Sequence, residues 1–182
     1  MYKKIKIKDT YGNIFNAEIK TLYLEDLNKV MKLQEDIHNV MENKEIFAKT
    51  EEGEFADMIN NCGEIIGVIT ENDELIAFGA MVIPGLEEFN LGYDLNFEEE
   101  KLMKIAHIES TVVHPDYRGN KLQKILCENL EEVSREQYCS IFCATVAPNN
   151  EFSLNTLLSL NYKIAIEKEK YGGLKRYIVI KE

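Results

Sequence analysis

Apolar and basic residues alternate from Lys3 to Lys8, with Ile5 and Ile7 set against Lys4, Lys6 and Lys8. A period of two predicts a strand with one buried face. Asp9-Thr10-Tyr11-Gly12-Asn13 is turn chemistry, and the strand pattern resumes over residues 14–24, so the chain is expected to open with a β-hairpin. From residue 25 to 39 the period changes. Leu27, Val30, Met31, Leu33, Gln34 and Ile37 recur at helical spacing behind acids that suit a helix N-terminus. A shorter helix is predicted over 51–61. Residues 65–69 and 75–83 read as apolar strands joined by the turn Glu71-Asn72-Asp73-Glu74.

Residues 85–104 hold Glu87, Glu88, Asp94, Glu98, Glu99 and Glu100. They read either as a solvated connection with a helical turn or as part of a substrate rim. A strand follows over 105–113. An amphipathic helix over 119–138 carries Leu122, Ile125, Leu126, Leu130 and Val133 on one stripe. Next come a short buried strand over 141–146 and a helix over 149–160 with Asn149 or Asn150 as its cap. Two closing strands, 162–168 and 176–180, surround Tyr171-Gly172-Gly173, which reads as a hairpin turn. The order β-β-α-α-β-β-β-α-β-α-β-β predicts an α/β (α+β) fold, a mixed sheet with helices on both faces. Pro84, Pro115 and Pro148 sit at element boundaries, and no repeat or linker interrupts the chain. One domain is therefore expected over 1–182.

Composition narrows the function. The chain has 182 residues, 45% apolar and 29% charged, which suits a folded protein with its own core. Its 21 Lys and Arg against 32 Asp and Glu leave a net charge of −11, which disfavours nucleic acid as a partner. No apolar run is long enough to span a membrane, and the lysines after Met1 precede no apolar signal segment. A cytoplasmic setting is expected. Cys62, Cys127, Cys139 and Cys143 form no Cys-x-x-Cys pair and no zinc spacing with His38, His107 or His114. They read as free thiols, and no metal is expected.

The chemistry concentrates in Val113-His114-Pro115-Asp116-Tyr117-Arg118-Gly119-Asn120-Lys121-Leu122-Gln123, between an apolar strand and an amphipathic helix. A Gly-containing turn that opens a helix presents unpaired N–H groups and the positive end of the helix dipole. Arg118, Lys121 and Lys124 add positive charge there. This stretch resembles the coenzyme A loop of the GNAT superfamily of N-acetyltransferases. The resemblance continues in Pro148-x-Asn150-x-x-Ser153 and Leu160-Asn161-Tyr162, at the offsets of a second GNAT signature. It covers the chain from about Ala17 onward and leaves residues 1–16 as an N-terminal extension.

The resemblance implies a GNAT-like, mostly antiparallel mixed sheet and acetyl-CoA as co-substrate. It assigns the thioester to the backbone at Val112 and Val113 and to the Asn150 amide. Arg118, Gly119, Asn120, Lys121, Leu122 and Gln123 would hold the diphosphate, with Ser153 beside Asn150. Three positions depart from the family pattern. Lys121 and Gln123 stand where Gly and Gly/Ala are usual, Asn161-Tyr162 replaces Gly-Phe, and Leu157 stands where many members have a tyrosine acid.

Acetyl transfer requires a base, because an alkylammonium of pKa near ~10.4 has no lone pair at neutral pH. In a regular strand His107, Glu109, Thr111 and Val113 share one face, with side chains two apart about 6.6 Å from each other. The resemblance lays that strand against the thioester, so Glu109 is the candidate base and His107 the alternative or a relay. The resemblance further implies a splay or bulge beside that strand, which would free the Val113 N–H as oxyanion donor. Cys127, Cys139 and Cys143 lie on the wrong elements for a covalent intermediate.

The expected activity is direct acetyl transfer to a primary amine of a small molecule or peptide. The acidic stretches favour a cationic acceptor, and a homodimer is among the states the sequence allows. The alternative is a module that binds acyl-CoA or a partner on the same fold without turnover.

Overall fold

The computed structural model describes residues 2–182. The chain runs β1 (Tyr2–Lys8), β2 (Ile14–Leu22), α1 (Leu27–Val40), α2 (Glu52–Asp57), β3 (Gly63–Thr70) and β4 (Leu75–Val82). Two one-turn helices follow, α3 (Leu91–Asp94) and α4 (Glu99–Leu102). The rest is β5 (Ile105–Val113), α5 (Leu122–Glu136), β6 (Ile141–Val146), α6 (Glu151–Ser159), β7 (Lys163–Lys170) and β8 (Leu174–Lys181). All eight strands share one sheet in the order β1-β2-β3-β4-β5-β6-β8-β7. The β5–β6 pair is parallel, and the other neighbours are antiparallel.

The core lies on both faces of this sheet. On one face Leu122, Leu126 and Leu130 of α5 pack with Leu157 and Leu160 over Val68, Ala77 and Ile108. Each such leucine withdrawn from water contributes roughly 1.5–3 kcal/mol. Helix α5 settles closely on β4 because residue 79 is glycine. A Cβ there would lie 2.9 Å from Leu130 Cδ1 and 3.2 Å from Leu126 Cβ. On the other face Val30, Leu33 and Ile37 of α1 and Phe55 of α2 cover Ile65, Phe78 and Val112.

The predicted helix over 119–138 begins only at Leu122, because Gly119 (φ 86°) and Lys121 (φ 59°) are both left-handed. Residues 85–104 are more than a solvated connection. Leu91 and Leu102 are buried with Ile105, Ile141 and Ile178, and Asp94 pairs with Lys168 and with Lys170, the latter at 2.6 Å. The acidic segment is thereby pinned across the sheet end.

Strand β5 is irregular where it matters. Ala80 pairs with Ser110 and Met81 with Ile108, so Glu109 is the extra residue of a β-bulge. The bulge reverses the alternation of faces. Ala106 and Ile108 lie on the α5 side before it, and Thr111, bonded to Gln123 of α5, lies on that side after it. His107 therefore does not share a face with Thr111 and Val113, contrary to the regular-strand expectation.

Candidate active site

Strands β5 and β6 pair from Ile105↔Ile141 to Ile108↔Ala144. Beyond that point β5 continues to Val113 and β6 to Val146 without partnering each other. The main-chain groups on the facing edge of β5 are left open. The His114 N–H donates to Ile76 O of β4 at 2.8 Å, and groups alternate along a strand. Val112 and Ser110 thus also turn toward β4, while the N–H groups of Thr111 and Val113 turn to the opening. Of the two valines expected to meet the thioester, Val113 presents its backbone to the gap. Val112 has its backbone on β4 and its side chain in the core.

The opening leads to the turn before α5. Lys121 is the cap position of this helix and makes no side-chain capping bond. The first intrahelical bond in this turn is Ile125 N–H to Lys121 O at 3.0 Å, so the N–H groups before it are available to an anion. Gly119 has nothing within 4 Å of where a Cβ would be, and Arg118, Gly119 and Lys121 are exposed. Holding Lys121 in the left-handed region costs roughly 1–2 kcal/mol. The residues present fit a diphosphate group: uncapped donors, open space and cations converge.

The other predicted cofactor residues are placed differently. Leu122 is a core residue that offers only its N–H. Gln123 Nε2 donates to Thr111 Oγ1 at 3.0 Å and to Ser153 Oγ at 2.9 Å, tying the starts of α5 and α6 to β5. Asn150 caps α6 by accepting the Ser153 N–H at 3.2 Å. The side chain of Asn120 bonds the backbone of Lys8 and Tyr117 O.

Glu109 lines a cavity of about 100 Å³ with Phe89, Leu91, His107, Ile108, Thr145, Lys170 and Tyr171. Glu109 is exposed to solvent, yet protein crowds it on its other sides. Burial, with Glu54 nearby, pushes its pKa above the ordinary carboxyl value. His107 is 2% exposed. Its Nε2 accepts the Leu91 N–H at 3.1 Å, which leaves the ring proton on Nδ1. Burial, aided by the Lys170 charge, pulls its pKa to about 3. His107 is therefore neutral with its lone pair engaged, and it orients the 90–92 segment where a base or relay was expected.

Other groups in this cavity escaped sequence reasoning, Phe89, Leu91, Lys170 and Thr145 among them. Thr145 was the most visible of them, a polar residue in an otherwise apolar strand. Its Oγ1 lies 2.9 Å from the Tyr171 hydroxyl. Burial and the Glu109 charge raise the Tyr171 pKa, so its proton is retained at neutral pH. Arg176, 4% exposed, donates to Glu45 O at 2.7 Å and lies 5.6 Å over the Tyr171 ring. That contact fixes the last hairpin against the 44–46 turn.

Leu157 is a buried core residue, and the Tyr162 hydroxyl is buried away from any partner. Neither reaches the opening as a proton donor. Burial pushes the thiols of Cys127 and Cys143 up to about 12, so neither is a nucleophile at neutral pH. Among the described residues no group of three His, Cys, Asp or Glu is placed to hold a metal.

The sequence profile of the Acetyltransferase (GNAT) family matches residues 27–162. This chain belongs to the GNAT acetyltransferase family. Membership makes it an acyltransferase, and the uncapped turn and the β5–β6 gap lie within the matched span. No curated protein matches it in sequence. Its fold is similar to that of an N-acetyltransferase from Staphylococcus aureus Mu50, with a TM-score of 0.69 at 18% identity over 92% of this chain and 98% of that one. Arabidopsis thaliana NAA60, solved with acetyl-CoA, is similar at a TM-score of 0.70 and 16% identity, over 91% of this chain and 97% of that one. The Escherichia coli ribosomal-protein-S18-alanine N-acetyltransferase matches at a TM-score of 0.63 and 17% identity, over 90% and 91% of the two chains. No helix is long and apolar enough among the described residues to cross a membrane.

Proposed function

We propose that this GNAT enzyme takes acetyl-CoA as co-substrate and moves the acetyl group directly to a primary amine, with Glu109 as general base. The observation that carries this reading is Glu109 at a bulge, facing a small cavity just where β5 and β6 part. A bulge re-aims a side chain, and a carboxylate with a raised pKa is a better proton acceptor than an ordinary one. The diphosphate of the co-substrate is held by the N–H groups opening α5 and by Arg118 and Lys121.

In the reaction Glu109 takes the ammonium proton. The freed nitrogen lone pair attacks the thioester carbonyl carbon, and the Val113 N–H meets the oxygen as it becomes an oxyanion. The C–S bond then breaks and the thiolate leaves with the electron pair. Tyr171, which keeps its proton at neutral pH, supplies that proton to sulfur, and the second proton shed by the acetylated nitrogen restores it through solvent. Thr145 orients its hydroxyl.

The cavity is small and walled by Phe89, Leu91 and Tyr171. Those walls favour an amine on a slender arm, and Glu54 beside Glu109 favours a cation. Both polyamine-like small molecules and peptide amines meet these conditions. The Escherichia coli neighbour acts on a protein alanine, which adds peptides to the candidates. The four cysteines, all free thiols, support a reducing, cytoplasmic setting.

The test is release of free thiol from acetyl-CoA with a panel of amines: diamines, polyamines, aminoglycosides and peptides with free N-termini. Release above the amine-free rate with at least one class is expected. Tight acetyl-CoA binding with no release from any amine would favour the binding module without turnover.

A further inference from the structure

The N-terminal hairpin lies outside the family match, which begins at residue 27, yet it touches the turn that opens α5. The Asn120 side chain makes the contact. Its Oδ1 accepts the Lys8 N–H at 2.8 Å, and its Nδ2 donates to Lys8 O at 2.7 Å and to Tyr117 O at 2.8 Å. Lys8 turns these two groups away from β2, since the next N–H, that of Asp9, bonds Asn13 O across the hairpin. The primary amide of Asn120 thus pairs with the open edge of β1 as a neighbouring strand would. Two more contacts run in parallel. The Thr10 N–H donates to Asp116 O at 2.8 Å, and Phe15 meets Tyr117 edge-on with ring centroids 6.2 Å apart. Ile7 anchors the hairpin in the same core that α5 covers.

We propose that the hairpin of β1 and β2 is a brace for the diphosphate-binding turn, and that Asn120 is a positioning residue acting through the backbone of Lys8. The turn needs such support. Lys121 stands in a left-handed conformation with no glycine to relax it and no side-chain cap behind it. Asn120, one residue earlier, is held at three points, so the N–H groups that follow are fixed before any anion arrives. A pre-organised site binds more tightly because less ordering remains to be done on binding. The consequence for affinity rests on the acetyl-CoA reading above, whereas the consequence for the free protein does not.

Lys8→Pro removes the N–H that Asn120 accepts, at an edge position where the ladder to β2 does not use it. Lys8→Ala removes the same charge and keeps the N–H. Hydrogen exchange of the free protein is expected to speed at the amides of residues 119–124 in Lys8→Pro and in Asn120→Ala, and to stay at the wild-type rate in Lys8→Ala. The dissociation constant for acetyl-CoA should rise about fivefold in Lys8→Pro, the worth of one ordinary hydrogen bond, with kcat at saturation unchanged. Combining Asn120→Ala with Lys8→Pro should add little to either alone, because both break the same contact. Unaltered exchange at 119–124 in both Lys8→Pro and Asn120→Ala overturns the brace. So does an Asn120→Ala loss of affinity that persists undiminished in the Lys8→Pro background, which would mark Asn120 as a direct ligand. Failure of wild-type protein to bind acetyl-CoA contradicts the cofactor reading instead, and the exchange rates still decide the brace.

Discussion

Where β5 leaves β6 beyond Ile108, the site is made of main chain: the open edge at Thr111 and Val113 and the uncapped N–H groups before Ile125. Where the cavity opens beside Glu109, it is made of side chains from distant segments: Phe89 and Leu91, Thr145 of β6, Lys170 and Tyr171 at the last hairpin. In the proposed reading the first region takes the co-substrate, and short local sequence suffices to build it. The second is where that reading puts acceptor and base, and only the sheet brings its parts together. Substitutions on the two sides should therefore fail in different ways.

The largest effect is expected on the side-chain region. Glu109→Gln should lower kcat/KM by about 10²-fold or more at pH 7, the low end of general-base catalysis, with acetyl-CoA binding intact. Its thermal midpoint should rise. The folded state raises the Glu109 pKa, so between the unfolded and folded values it binds more protons than the unfolded chain, and stability falls as pH rises. Glutamine removes that loss, and the gap between variant and wild type should close below the ordinary carboxyl range. Melting curves against pH check it.

On the main-chain side, Arg118→Glu should abolish most of the rise in thermal midpoint that acetyl-CoA causes. A ligand at a hundred times its dissociation constant stabilises by about 2.7 kcal/mol, so the loss is easily read by calorimetry. An undiminished shift would remove Arg118 from the site.

Leu157→Tyr tests whether the missing family tyrosine is simply absent. Leu157 is 3% exposed in the core, so added bulk should cost roughly 1–3 kcal/mol of stability in denaturant titration. Turnover should not improve. Tyr171→Phe should instead leave stability and acetyl-CoA affinity close to wild type and lower kcat about tenfold. That is less than general acids usually supply, since a thiolate of pKa near ~8.5 departs with little help.

The smallest catalytic effect is expected at His107. Its pKa of about 3 in the folded protein lies below the ordinary value near ~6.5, so the unfolded chain binds the extra proton between those limits. That contribution to stability is present above pH ~6.5 and is lost as pH falls toward 3. His107→Gln should flatten this slope while moving kcat/KM far less than Glu109→Gln.

The residues explain which parts could be read ahead of the structure. Strands with period-two patterns and the α5 stripe declared themselves through local spacing, as did the α6 cap, left between Asn149 and Asn150 by the sequence and found at Asn150. The bulge at Glu109 did not, because nothing in Ile108-Glu109-Ser110 differs from a regular strand, and the extra residue appears only in register with β4. His107 was assigned to the wrong face for that reason, and its partner, the Leu91 N–H, was not foreseen because it sits in a segment whose acidic composition hid its buried leucines. Asn120 read as a cofactor ligand from its place in the motif. Its side chain also reaches a residue 112 positions away, beyond any local pattern.

The central claim is that the bulged carboxylate takes the amine proton. The measurement that tests it most directly is a pair of pH–rate profiles, kcat/KM by free-thiol release, for wild type and Glu109→Gln with the acceptor the amine panel identifies. The wild type should lose activity as pH falls through a value above the usual carboxyl range, in keeping with the raised Glu109 pKa. Glu109→Gln should lack that limb, and its deficit should shrink at high pH, where more of the amine is already neutral. A Glu109→Gln enzyme running near the wild-type rate at every pH would contradict the account and leave Glu109 as a structural carboxylate.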